Sequence, residues 1–154
     1  MSTPSYRFGD LLALARVRWV EQMAAGVASL GYEDYRRSDA AVMRLLKRAP
    51  LSIGGLGDAL GVTRQAGRKV VSGLEQRGFA TTVRDQFDAR QTNVVLTVAG
   101  EAYAQAVITV IDRLNRELAD RVDPADLLGA RRVLAAVLDV EPPSSPGSSG
   151  LPDH

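Results

Sequence analysis

Cysteine is absent from the 154 residues, and the one histidine is the last residue, His154. The first absence excludes a disulfide scaffold, a thiol nucleophile, a redox thiol switch and a cysteine-ligated zinc site. The second excludes a Ser-His-Asp triad and any two-histidine metal site within one chain. No cofactor and no metal are expected. Long apolar runs are also missing. The longest, such as 133–138, reach six residues, where a membrane-spanning helix needs about 20. Arg7, Asp10, Arg16 and Arg18 interrupt the N-terminal apolar residues, so no secretory core is expected and the chain reads as cytoplasmic. Hydrophobic residues at 45% and charged residues at 24% are those of a globular domain.

Net charge is only +1, but it is unevenly distributed. Residues 1–50 hold 8 basic and 5 acidic groups, residues 62–90 hold 6 and 3, and residues 99–154 hold 5 and 9. A basic middle beside an acidic C-terminal third suggests a polyanion-facing module joined to a part that avoids polyanions. Ordinary surface variation gives the same count.

Apolar residues at Phe8, Leu11, Leu12, Ala15, Trp19, Met23, Val27 and Leu30 follow helical spacing, and Leu14, Val17, Val20 and Ala24 add a second stripe. A helix apolar on two sides favours a subunit partner as well as a core. Ser38 is a candidate N-cap for a short helix ending before Pro50. Ser52 and Thr63 are candidate caps for two more helices, closed by Gly61 and Gly78. Phe79–Val83 and Thr92–Thr97 read as a β-hairpin with a charged tip. Thr97 caps a long helix, and Asp123-Pro124 opens the last one. The Pro/Ser/Gly-rich end from Pro142 reads as disordered.

The stretch from Leu56 through Gly61 to Ala66 is a helix, a tight turn and a capped second helix, which matches a helix-turn-helix. In such a motif the N-terminal turns of the second helix enter a major groove about 12 Å wide. Thr63 caps that helix, while Arg64, Gln65, Arg68, Lys69 and Ser72 point away from its apolar face of Ala66, Val70 and Leu74. Arg and Gln suit base edges, and Lys69 suits phosphate. The hairpin then acts as a wing: Arg84 and Arg90 supply cations, Arg90 reaching a narrow minor groove. Asp88 is expected to orient the Arg90 guanidinium. A solvated helix face and an ordinary polar turn are the bland alternatives.

With these residues in view, 51–100 resembles the winged helix-turn-helix of the MarR family of bacterial transcription regulators. The resemblance rests on LGVTRQA, Leu74-Glu75-x-x-Gly78, Asp88-x-Arg90 and Leu96-Thr97-x-x-Gly100 in that order. It implies a mainly α fold with a small β-hairpin wing. One domain over 1–139 is expected, with dimerisation helices at 6–35 and 99–139 around a winged module at 38–97, and a disordered tail at 140–154. It also implies a homodimer on palindromic double-stranded DNA, a repressor released by a small aromatic or apolar ligand. Trp19, Met23, Tyr35 and Met43 suit an apolar effector; core packing explains each equally well. Two departures stand out. Glycine occupies position 67, usually larger in the family, so either a neighbour packs close there or the helix is loose until DNA orders it. Ala89 stands where an additional Arg is common.

Two rivals follow from the same residues. Gly55-x-Gly57-x-x-x-Gly61 resembles a nucleotide-binding loop, which requires a preceding strand in a parallel sheet. The glycine-rich helices also suit a dimeric ligand- or protein-binding module with weak or no DNA affinity.

Overall fold

The computed structural model describes residues 5–139, so the tail expected at 140–154 lies outside the described residues. Two compact units are present, one ending at Asn115 and the other beginning at Arg116.

The first helix, α1, spans Phe8–Ala28. Only its C-terminal half enters the core: Met23 and Val27 are fully buried and Trp19 packs against them. Its N-terminal half is open, with Leu11, Leu14 and Val17 each half exposed or more. Next, α2 spans Asp39–Arg48. Ser38 sits at its N-cap position but makes no capping hydrogen bond, because its backbone is already helical. Asp39, the first helical residue, instead reaches back to accept from the Arg36 N–H ahead of the helix at 3.0 Å.

A two-residue strand β1 (Leu51–Ser52) leads into α3 (Ile53–Leu60) and α4 (Arg64–Gln76). Both caps expected here form. Ser52 Oγ accepts from Gly55 N–H at 3.0 Å, and Thr63 Oγ1 accepts from Ala66 N–H at 3.1 Å. Gly61 turns the chain between the helices at φ +65°, a left-handed conformation that a Cβ disfavours.

Strands β2 (Ala80–Arg84) and β3 (Thr92–Leu96) form the expected hairpin, but it belongs to a three-stranded antiparallel sheet in the order β1-β3-β2. Leu51 pairs with Val94 and Ser52 with Asn93. Two residues carry no readable alternation, so β1 was invisible to periodicity. Its antiparallel pairing, and the placement of Gly55 and Gly57 inside α3, remove the strand-loop-helix context that the nucleotide-loop reading requires.

Helix α5 spans Val98–Ala119 and runs across the boundary between the units. Thr97 caps it, its Oγ1 accepting from Gly100 N–H at 3.0 Å and donating to Gly78 O at 2.6 Å. Tyr103, Ala104, Val107 and Val110 of α5 join Met23, Val42, Met43, Leu56, Leu74 and Val94 in one core. In the second unit, α6 spans Pro124–Leu138 with Pro124 in its first turn, as expected. The Asp123 side chain, however, makes no capping bond. None of the described residues of α6 is buried, and Leu128, Val133 and Leu134 are exposed. No helix among the described residues is long and apolar enough to cross a membrane.

Candidate nucleic-acid interface

The recognition helix of the motif is α4. Its buried face is Gly67, Val71, Gly73 and Leu74. That leaves Arg64, Gln65, Arg68, Lys69 and Ser72 exposed, as helical spacing requires. The question of Gly67 has a packing answer. A Cβ there would lie 3.4 Å from Ile53 O and 3.5 Å from Gly57 Cα. A Cβ on Gly57 would lie 3.3 Å from Val62 O, in the turn between α3 and α4. Gly67 thus lies directly against the α3 backbone at Ile53 and Gly57.

Arg64 and Arg68 of α4 line a cleft of about 380 Å³ together with Ser52, Ile53 and Gly54 at the start of α3. Asp88 and Arg90 of the wing tip close its other side. The fold therefore brings three guanidiniums from two elements into one concavity. Among the described residues, no carboxylate forms an ion pair with Arg64, Arg68, Lys69 or Arg90. Unpaired cations converging on a groove create a positive potential suited to a polyanion. Arg84 is placed apart. It lines a separate hollow with Pro50, Val83 and Phe87.

Asp88 differs from expectation in its role. Its Oδ1 accepts from the backbone N–H of Arg90 at 2.9 Å, rather than from the guanidinium. It shapes the turn and leaves the Arg90 side chain without an ion-pair partner. The main organiser of the wing is Asp85, which sequence reasoning passed over. Asp85 Oδ1 accepts from the N–H groups of Phe87 and Asp88 at 2.8 and 3.0 Å, and Oδ2 accepts from Asn93 Nδ2 at 2.7 Å. These donors, the two backbone N–H groups foremost, hold the Asp85 carboxyl below its ordinary value. An Asp at the mouth of a hairpin tip is a local signal for such a turn.

The far end of α4 is fixed by a buried charge network. Asp39 is fully buried. Its carboxylate takes Arg77 Nη1 and Nη2 at 2.9 and 3.0 Å, a bidentate pair, and the Tyr103 hydroxyl at 2.6 Å. Arg77, which ends α4, also donates to Asp34 O and Gly73 O, and its guanidinium lies over the rings of Phe79 and Tyr103. Burial, and then the hydrogen bond to Asp39, push the Tyr103 hydroxyl far above its ordinary value, while the bond to Asp39 raises Arg77. So Arg77, counted above with the basic middle, is spent internally: it ties α4 to the start of α2 and to α5.

The four residues proposed for an effector lie elsewhere. Met23 and Met43 are fully buried in the core, and Trp19 and Tyr35 pack against it. None of the four lines any of the described cavities.

Residues 34–91, which hold α2, the helix-turn-helix and most of the wing, match the model of the MarR family. Over those residues the winged helix-turn-helix of this chain is similar to that of the MarR family. No curated protein matches the chain. Solved structures do. The PcaV transcriptional regulator from Streptomyces coelicolor, in complex with its natural ligand, is 21% identical with a TM-score of 0.74, covering 90% of this chain and 96% of its own. The S. aureus MepR–DNA complex is 15% identical with a TM-score of 0.76, covering 87% and 98%. A MarR variant from E. coli complexed with operator DNA is 19% identical with a TM-score of 0.71, covering 84% and 92%. At these identities the correspondence is one of fold: six helices and a small antiparallel sheet, arranged as in MarR structures.

Proposed function

We propose that this chain is a homodimeric, sequence-specific DNA-binding repressor of the MarR family, released from a palindromic operator by a small aromatic or apolar ligand. The observation that carries the reading is the convergence of Arg64, Arg68 and Arg90 on one cleft between α4 and the wing. In this reading Arg64, Gln65 and Arg68 address base edges, Thr63, Lys69, Ser72 and Arg84 serve the backbone, and Arg90, with its turn set by Asp88, enters the minor groove. MepR and the MarR variant, solved on DNA, share the fold that presents these side chains.

Dimerisation is supported by the exposed apolar residues of α1 and, separately, of α6, which a second copy would cover. Two recognition helices would then address successive major grooves about 34–36 Å apart. PcaV, solved with its natural ligand, supports an effector. Such a ligand releases DNA only by binding the DNA-incompetent arrangement more tightly. Trp19 and Tyr35 are its proposed aromatic contacts; Met23 and Met43 would meet it only if the core opened.

The test is a salt titration of DNA binding by fluorescence anisotropy. Affinity for any duplex should fall steeply with salt. Lys69→Ala and Arg90→Ala should each weaken binding and lower the slope of log K against log salt by about 1. A pure dimer with no duplex binding at low salt refutes the reading and favours the ligand- or protein-binding module instead.

A further inference from the structure

Phe87 stands at the tip of the wing with 91% of its surface exposed. A single exposed apolar residue is ordinary, but three observations set this one apart. First, its backbone is pinned. Asp85 accepts from the Phe87 and Asp88 N–H groups, and the loop is closed by Asp85 N–H donating to Gln91 O at 2.8 Å. The Cα of Phe87 cannot be withdrawn from the tip without breaking that set. Second, Phe87 lies midway in sequence between the two wing cations, Arg84 and Arg90. Third, those cations line two separate hollows, Arg90 the cleft beside α4 and Arg84 the one that Phe87 itself borders. The tip thus offers an exposed apolar ring on a hydrogen-bonded turn, flanked in sequence by two arginines.

We infer that Phe87 is a DNA-contacting, specificity-determining residue whose ring enters the minor groove as an apolar wedge, packing on deoxyribose and partly unstacking a base step. The inference rests on the DNA-binding reading above. A minor groove about 6 Å wide is bounded by two phosphate strands, so Arg84 suits a bounding strand while Arg90 and the ring address the groove itself. Its floor and sugar walls accept an aromatic edge. Wedges of this kind open the flexible pyrimidine–purine steps most easily, TA and CA above all, and resist stiff A-tracts. The wing then selects sequence through deformability, with no hydrogen bond to a base. That is a preference at positions outside the major-groove half-sites.

The experiment uses the full chain and a duplex selected from a random pool by the wild-type protein, with 2-aminopurine stepped through the segments flanking the half-sites. Wild type should raise 2-aminopurine fluorescence at one flanking step. Phe87→Ala should lose that signal and bind about tenfold more weakly, the loss expected for re-exposing part of a buried ring. Its salt slope should not change, because no charge is removed. Phe87→Leu should keep most of both properties. Thermal melts of all three should coincide, since the side chain packs on nothing it could destabilise. A Phe87→Ala protein with wild-type affinity, or wild type without a fluorescence rise at any step, overturns this inference alone. Failure of the wild type to bind any duplex overturns the DNA-binding reading and the inference with it.

Discussion

Replacing Asp39 by Asn keeps the side chain's shape and removes the charge on which one guanidinium, through two N–H donors, and a phenol converge. Asp39 is fully buried and the side chain of Arg77 is 11% exposed, so water replaces the lost partner poorly. Breaking a buried ion pair from one side costs about 3–5 kcal/mol, because the remaining charge stays desolvated and unpaired. Here the amide NH₂ must also face a donor: in its better orientation it meets Arg77 Nη2, while the remaining oxygen keeps Arg77 Nη1, the Tyr103 hydroxyl and the Arg36 N–H. For a chain of this size each kcal/mol lowers Tm by about 2–4 °C, so the expected fall is about 6–20 °C.

Far-UV circular dichroism melts, supported by urea titration, measure it. The diagnostic arm is a cycle with Arg77→Met. In the wild-type background that change strands a buried carboxylate and should cost as much as Asp39→Asn. In the Asp39→Asn background it should cost far less, giving a coupling of more than about 1 kcal/mol. Two single variants that each cost under about 1 kcal/mol, and simply add, would place the pair in the range of exposed ion pairs and refute the buried network.

Glycines at two helical positions should respond with opposite sign. Gly54→Ala meets nothing within 4 Å and should stabilise by about 0.5–1 kcal/mol, whereas Gly100→Ala puts a Cβ 1.8 Å from Phe79 O and should destabilise by about 1–3 kcal/mol or more; denaturant midpoints decide both. Tyr103 is raised in the folded state, so its contribution is intact below the unfolded value of about 10 and is lost as pH climbs toward the folded value. Stability should therefore fall above pH about 10 at up to about 1.4 kcal/mol per pH unit, and Tyr103→Phe should flatten that fall. Asp85 is lowered, so its support of the wing is present above the unfolded value of about 3.9 and vanishes as pH drops through the folded one. NMR should show the Phe87 and Asp88 amide shifts titrating together, below the ordinary carboxylate range, and an ordinary midpoint would count against the three-bond turn.

The parts of this molecule that sequence displays are those whose cause is local. Ser52 and Thr63 cap the helices they precede, Gly61 turns the chain, and helical spacing on α4 separates its cations from its buried face, because each needs only neighbours within a few residues. The Asp85 turn was equally local and was overlooked in favour of Asp88, whose acidic side chain instead holds the Arg90 amide. The buried network is different in kind. Asp39 lies 38 residues from Arg77 and 64 from Tyr103, and nothing nearby in the chain distinguishes Arg77 from the exposed arginines around it. Only the fold shows that one arginine of the basic middle is committed to the interior.

That commitment bears on how α4 can move. Its N-terminal turn lies against α3 at Gly67, where a Cβ would already be in van der Waals contact with Ile53 O and Gly57 Cα. The residue that caps its C-terminus, Arg77, is held by Asp39 of α2 and lies over the ring of Tyr103 of α5. A helix fixed at one end by steric contact and at the other by a desolvated ion pair does not bend freely between them; it is reoriented with the elements that grip it. The charge that α4 presents, from Arg64 to Ser72, should therefore move as one rigid face. An Asp39→Asn protein that is still folded should consequently lose DNA affinity without any change in salt slope, because orientation is lost while every exposed cation remains. A lowered slope in that variant would show that the network orders individual side chains and not the helix.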